Sequence, residues 1–163
     1  MMTLAQFTEP SLLVPRLLSE YRDSAIAELG SRLEKAGRIE NARAFTHAVL
    51  DHEAIVSAVF DEVAFPLARG QAVKELSYAL GSSPQGIRWG TGKAPIVHAV
   101  VLFAVPLSAG QPYLSLVVTF SKFLQDQPGF CALRQCAQPE EMFAALKKVR
   151  VRRTGPQPEL IQH

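Results

Sequence analysis

The chain has 163 residues, of which 48% are hydrophobic and 20% charged, and its formal net charge is +2. These values fit one ordinary globular domain and exclude a surface devoted to nucleic acid. The sequence shows no signal peptide and no apolar run near the roughly 20 residues of a membrane helix. Its two cysteines are too few for a disulfide framework or a zinc site. We therefore expect a cytoplasmic protein with no membrane contact, cofactor or metal.

Strands and helices alternate in the first part of the sequence. Residues 12–14 can form a short strand. A helix is predicted from Asp23 or Ser24 to Gly37, because apolar residues recur there at helical spacing. A second helix is predicted from Asn41, with one apolar face. The positions that define the two apolar faces are Ile26, Leu29 and Leu33 in the first helix and Phe45, Ala48 and Val49 in the second.

The stretch EVAFPLARGQAV, residues 62–73, predicts a strand followed by a turn. Pro66 lacks a backbone donor and biases Phe65 toward an extended conformation, so the strand is expected to cover residues 63–65 and to stop there. The next residue, Leu67, falls where folds often place reactive side chains. Leucine offers no chemistry at that position.

The second part of the chain predicts a buried strand between turns and helices. Residues 76–80 alternate in polarity, and residues 81–95, GSSPQGIRWGTGKAP, contain mainly turn-forming residues. Residues 96–105 are apolar on both faces, which is typical of a strand at the centre of a covered sheet. Helices are predicted over residues 113–124 and from Pro139 onward. This alternation indicates an α/β domain.

Two apparent motifs receive structural interpretations. Gly92-Lys93 suggests a phosphate-binding loop, but Ile87 and Ala94 occupy positions where that motif needs Gly and Ser or Thr. The basic cluster KKVRVRR, residues 147–153, could meet an acidic surface, although a solvated helix end explains it better.

The histidines and cysteines also lack a catalytic or metal-binding pattern. His47 and His52 are five residues apart, which places them on different faces of a helix. His98 is expected to be a satisfied histidine within the buried strand. Cys131 and Cys136 flank a short helical stretch and are expected to act as small buried hydrophobic residues.

Five segments follow one another along the chain: AFTHAVLDHEAI, AFPLARGQAVKELSYALGSSPQGIRW, VVLFAVP, PYLSLV and QPEEMFAAL. In this order they resemble the type-2 IIA component of the bacterial phosphoenolpyruvate-dependent sugar phosphotransferase system, the mannitol/fructose type that includes the nitrogen-regulatory paralogue. The resemblance implies a mixed β-sheet flanked by helices on both faces, formed by a single domain over residues 1–150 and followed by a polar tail over residues 151–163. It also implies a phosphoryl group carried on histidine and passed to a IIB partner.

The resemblance assigns the family's active-site positions to residues that cannot perform its chemistry. The acceptor histidine of the family's Ile-Pro-His-Ala-Arg motif corresponds to Leu67, and its second active-site histidine corresponds to Tyr113. An arginine before Glu-Ala corresponds to His52, and the glycine-rich segment is replaced by residues 55–63. Only Arg69 remains of the polar set. The expected site is therefore degenerate, with no catalytic residue, and Arg69, His52 and Tyr113 are binding candidates.

Two functions follow from this resemblance. One is a non-catalytic regulatory module that binds a protein, which could be a IIB-like protein, a phosphocarrier or a regulatory target. The other is an active phosphocarrier in sugar or nitrogen-related phosphotransfer that uses a relocated histidine, His52 or less readily His98. A homodimer is compatible with either function.

Overall fold

A computed structural model describes residues 2–152, which fold around a mixed sheet of six strands. Most of the polar tail expected at the C-terminus lies outside the described residues. The strands are β1 Leu13–Val14, β2 Val59–Phe60, β3 Val63–Ala64, β4 Leu67–Arg69, β5 Ser77–Arg88 and β6 Ile96–Val105. The helices are α1 Arg22–Lys35, α2 Ala42–Ile55, α3 Gly110–Gln125, α4 Gln127–Gln135 and α5 Pro139–Lys147.

Strand β6 is central, as its two-faced apolarity predicts. The strand order is β1-β5-β6-β3-β2, and β4 also pairs with β6. Pairing is parallel for β1–β5, β3–β6 and β4–β6 and antiparallel for β5–β6 and β2–β3. The predicted α/β class with a mixed sheet is confirmed.

Side chains of β6 alternate between two apolar cores. Val100, Leu102 and Ala104 pack with α1 and α2 on one face of the sheet, whereas Val101 and Phe103 pack with α3, α4 and α5 on the other. Residues two apart on a strand share a face, so an uninterrupted apolar strand supplies both cores. Helices therefore cover both faces of the sheet.

Two predicted helix starts have the expected capping residues. Asn41 precedes α2, and its Oδ1 accepts a hydrogen bond from the backbone N–H of Ala44 at 3.1 Å. Pro139 opens α5, and the carboxylate of Glu141 accepts from the backbone N–H of Gln138 at 2.9 Å. Both contacts occupy donors that a helix start leaves free.

The turn expected over residues 81–95 is confirmed for residues 89–95 and is wrong for residues 81–88. Strand β5 continues to Arg88, interrupted by a bulge between Ser82 and Ile87. Gly86 adopts φ 94° in this bulge, and a Cβ there would lie 2.5 Å from the Ile96 side chain. The turn-forming residues therefore build a bulge that keeps the strand paired to β6.

Pro66 does not end pairing with β6. After Pro66 the chain resumes a parallel ladder in which Leu67 is opposite Phe103 and Arg69 is opposite Val105. The carbonyl of Pro66 accepts from the backbone N–H of Phe103 at 2.9 Å. Proline removes a donor and keeps its acceptor, so the ladder can pass through it. Leu67 therefore begins a strand, contrary to its predicted place in a turn.

The basic cluster is a solvated helix end only in part, and Arg153 lies outside the described residues. Lys147 and Lys148 are exposed at the end of α5, as predicted. Helix α5 ends at Lys147, and the following residues pair with the N-terminal segment of the domain. The N–H of Leu4 donates to the carbonyl of Val149 at 2.9 Å, and the N–H of Val151 donates to the carbonyl of Met2 at 2.9 Å. These bonds give residues 149–151 an extended course.

The prediction that Cys131 and Cys136 are both buried is met by neither residue. Cys131 lies within α4 and is exposed, whereas Cys136 follows the helix and is half-buried. Burial and the negative charge of Glu141 raise the pKa of the Cys136 thiol. Neither position has the full burial expected of a small core hydrophobe.

Candidate functional site

Leu67 lies at the end of the sheet where β4 pairs with β6. Its side chain is half-buried and packs against the core that contains α3. Its ladder partner Phe103 is fully buried. The position that the resemblance assigns to the phosphoryl acceptor is therefore apolar and held against an aromatic core.

Tyr113 packs against the same phenylalanine from the first turn of α3. Its ring meets the Phe103 ring edge-on, with centroids 5.4 Å apart. Burial raises the pKa of the Tyr113 phenol from its usual value, and the positive charge of Arg69 offsets part of that rise. The phenol is therefore uncharged at neutral pH, with the Arg69 guanidinium close enough to affect it. The structure thus brings Leu67, Arg69 and Tyr113 together.

His52 lies in the last turn of α2, on the opposite face of the sheet from Tyr113. Its helix buries Phe45 and Val49 in the other core, while the His52 side chain is exposed. Within residues 2–152, no hydrogen bond, ion pair or ring contact joins His52 to Leu67, Arg69 or Tyr113. The grouping of His52 with these residues stays a prediction.

His98 has chain acceptors at both ring nitrogens. Its Nδ1 lies 3.0 Å from the carbonyl oxygen of Ser83, and its Nε2 lies 3.3 Å from a carboxylate oxygen of Glu62. The side chain is 20% exposed. This arrangement agrees with the predicted satisfied histidine, since each ring nitrogen lies near an oxygen of the chain.

A buried carboxylate on α2 was missed in the sequence. Glu53 is 4% exposed, and one of its oxygens accepts a hydrogen bond from the indole N–H of Trp89 at 3.1 Å. Its other oxygen, Oε1, is buried without a hydrogen-bond partner among the described residues. The sequence signal that could have indicated this contact was the only tryptophan of the chain, which lies in an otherwise polar stretch.

Two exposed leucines flank Tyr113 at this end of the sheet. Leu107, which follows β6, is 57% exposed, and Leu114 on α3 is 48% exposed. Together with Leu67, Arg69 and Tyr113 they form what we call the strand-end surface. Four of these five side chains are apolar or aromatic and the fifth is a cation, and the exposed polar residues Ser108 and Gln111 lie between the two leucines in the sequence.

Comparison with known protein families shows the family to which the chain belongs. The family described as "Phosphoenolpyruvate-dependent sugar phosphotransferase system, EIIA 2" matches residues 7–149, nearly the whole described chain. The protein is a member of this type-2 IIA family. The family expected from the resemblance is thereby confirmed.

One curated relative of this IIA domain is a multidomain protein. The chain is 28% identical over 149 residues to the "PTS system 2-O-alpha-mannosyl-D-glycerate-specific EIIABC component" of Escherichia coli strain K12. The match covers 90% of this chain and 23% of that relative. The chain thus spans about a quarter of the relative's length.

Solved IIA structures share the fold at low sequence identity. The nitrogen regulatory protein IIA-Ntr of Neisseria meningitidis superposes with a TM-score of 0.78 at 17% identity, covering 88% of this chain and 98% of that one. IIA mannitol of Escherichia coli superposes with a TM-score of 0.71 at 19% identity, covering 85% and 97%. These likenesses establish the α/β fold of the type-2 IIA domain.

Two further properties of this IIA domain concern the described residues alone. Over residues 2–152, no helix combines the length and apolar character needed to cross a membrane. Over the same residues, no group of three or more His, Cys, Asp or Glu side chains is arranged to hold a metal ion.

Proposed function

We propose that this IIA domain has lost the phosphohistidine and acts as a non-catalytic module that regulates by binding a protein partner. The observation that carries the proposal is the pair of side chains at the assigned histidine positions. Leu67 is a half-buried aliphatic residue, and Tyr113 is a neutral phenol packed on Phe103.

The requirements of phosphoryl transfer support this reading. An acceptor imidazole must reach the phosphoryl group in line, and positioned donors must stabilise the charge on the transferring oxygens. Leu67 has no nucleophilic atom. Arg69 supplies one cation, which is too little to replace two histidines and an arginine together.

The strand-end surface supports a binding role. Leu107 and Leu114 expose large apolar side chains, Leu107 two residues after the ladder partner of Arg69 and Leu114 next to Tyr113 in the sequence. A solved relative, IIA mannitol of Escherichia coli, was determined in a complex with phosphorylated IIB mannitol. A IIB-like protein is accordingly the first partner class to test for this chain.

A phosphorylation assay tests the loss of the acceptor. We expect the wild-type protein to gain no phosphoryl group when incubated with phosphoenolpyruvate and the general phosphotransferase proteins, as followed by intact mass. The Leu67→His variant is also expected not to reach the phosphorylation rate of an active IIA protein assayed in parallel, because the second histidine and the arginine would still be missing.

The matched variant in that assay is His52→Gln. A stoichiometric, acid-labile mass gain in the wild type that disappears in His52→Gln would establish the alternative function, a phosphocarrier with a relocated histidine. Rapid phosphorylation of Leu67→His alone would contradict the decay of the site as a unit.

A binding assay tests the partner surface. We expect Leu107→Glu/Leu114→Glu to weaken binding to a purified mannitol-type IIB protein by at least about tenfold, because two charges would replace apolar contacts. Isothermal titration calorimetry measures the change. Leu18→Glu is the control, since Leu18 is 88% exposed and lies toward the other end of β5. Equal binding by all three proteins, or no binding of the wild type to either IIB or the phosphocarrier protein, would count against the proposal.

A further inference from the structure

A cavity of about 820 Å³ opens between α3, α4, α5 and the segment that follows α5. Its volume lies in the range of small-molecule sites, roughly 300–1,000 Å³. Four basic side chains line it, accompanied by a single carboxylate from Asp126. The four are Lys122, Lys148, Arg150 and Arg152.

The extended course of residues 149–151 explains why the cations converge. Val149 and Val151 pack against the core that contains α3. Alternate residues of an extended chain point in opposite directions, so Arg150 and Arg152 share the other face. The backbone N–H of Arg152 donates to the buried Thr119 hydroxyl at 2.7 Å, which fixes this segment against α3.

Among the described residues, four positive charges face one negative charge at this cavity. None of the four basic side chains forms an ion pair with another residue in the described part of the chain. Among the described lysines and arginines, ion pairs form at Arg22, Arg38 and Arg134, all outside this cavity. Like charges gathered around a concave surface raise the local concentration of anions and favour an anionic ligand.

One wall of the cavity is aromatic. The half-buried Phe123 lies against Gly129 of α4, where an added Cβ would come within 2.9 Å of the ring. Gly129 therefore allows the ring to lie against the helix. A flat apolar wall beside several cations suits a ligand with a ring and a multiply charged group.

We propose that this cavity is a binding site for a small molecule with a pyrophosphate group, held by Lys122, Lys148, Arg150 and Arg152. Arginine forks and lysine ammonium groups are the side chains that bind phosphate oxygens best. A single phosphate would leave most of the volume and much of the charge unused. The site lies nine residues along α3 from Tyr113, about 13 Å, so it is separate from the strand-end surface.

The experiment uses the whole chain with inorganic pyrophosphate and ADP as probes in isothermal titration calorimetry, without divalent metal. We expect saturable binding of one probe molecule per chain, weakened as ionic strength rises. Arg150→Gln/Arg152→Gln is expected to weaken binding at least about tenfold, because two charge-assisted contacts are removed. Phe123→Leu should weaken ADP binding and leave pyrophosphate binding nearly unchanged.

The control is Lys147→Gln, which removes one positive charge next to the site. The Lys147 ammonium lies 4.9 Å from the centroid of the Phe143 ring and does not line the cavity. Equal weakening by this control and the double variant would overturn the proposal, as would absence of pyrophosphate binding. Sedimentation with vesicles of phosphatidylcholine and phosphatidylglycerol distinguishes a lipid headgroup, and binding to vesicles alone would also overturn it.

Discussion

Phe103→Ala is expected to lower the free energy of unfolding by about 3–5 kcal/mol, as measured by urea denaturation followed by circular dichroism. Phe103 is fully buried in the central strand, where removal of its ring would leave a cavity that rigid neighbours cannot fill. Its ring centroid lies between 5.4 and 6.2 Å from those of four other aromatic rings. These belong to Phe65, Tyr78, Tyr113 and Phe120.

The same substitution should also alter the candidate site, because Phe103 adjoins site residues on both β4 and α3. It is the ladder partner of Leu67 and the ring against which Tyr113 packs. Phe60→Ala is the control, since Phe60 is 58% exposed, and its cost should stay below about 1 kcal/mol. Comparable losses for the two variants would show that the aromatic cluster does not anchor this end of the sheet.

Trp89→Phe is expected to cost about 3 kcal/mol, because it removes the one hydrogen-bond donor that the structure gives the buried Glu53 carboxylate. Phenylalanine fills part of the indole volume but cannot donate. The carboxylate would then remain buried with neither oxygen satisfied. Urea denaturation followed by circular dichroism measures the loss, since the variant has no tryptophan to report by fluorescence.

A double-mutant cycle with Glu53→Leu separates the lost contact from the lost volume. In the Glu53→Leu background no carboxylate is stranded, so Trp89→Phe should cost less by a coupling energy of about 1–3 kcal/mol. A coupling energy near zero would show that the indole of Trp89 contributes through packing alone.

The central part of the fold was predictable from local sequence because its signals are local. Residues 96–105 are apolar on both faces, and a strand with that pattern has to lie inside a covered sheet. Asn41 and Pro139 likewise mark the helices that follow them, since capping depends on residues one turn away.

The errors arose where a residue's local preference served a nonlocal contact. Gly86 suggested a turn, but its positive φ serves a bulge that keeps β5 on β6. Pro66 suggested a strand end, although its carbonyl still bonds to Phe103. The basic cluster suggested a helix end, which Lys147 and Lys148 form, but not the pairing of residues 149–151 with the N-terminal segment, because that pairing depends on contacts distant in sequence.

The candidate site was only partly predictable. Leu67, Arg69 and Tyr113 were named through the resemblance, and the structure gathers them around Phe103. Phe103 itself carried no functional signal, because its role depends on the register between β4 and β6. The Glu53–Trp89 contact joins residues 36 positions apart, a separation that no sequence period reports.

The pairing of residues 2–4 with residues 149–151 brings the described chain back to its starting point. The N–H of Val151 donates to the carbonyl of Met2, so the first and last described segments of the domain lie side by side. A domain with adjacent ends can be inserted into a loop of a host protein, or circularly permuted through a short linker, with little distortion. This IIA fold is therefore well suited to serve as a module in engineered fusions.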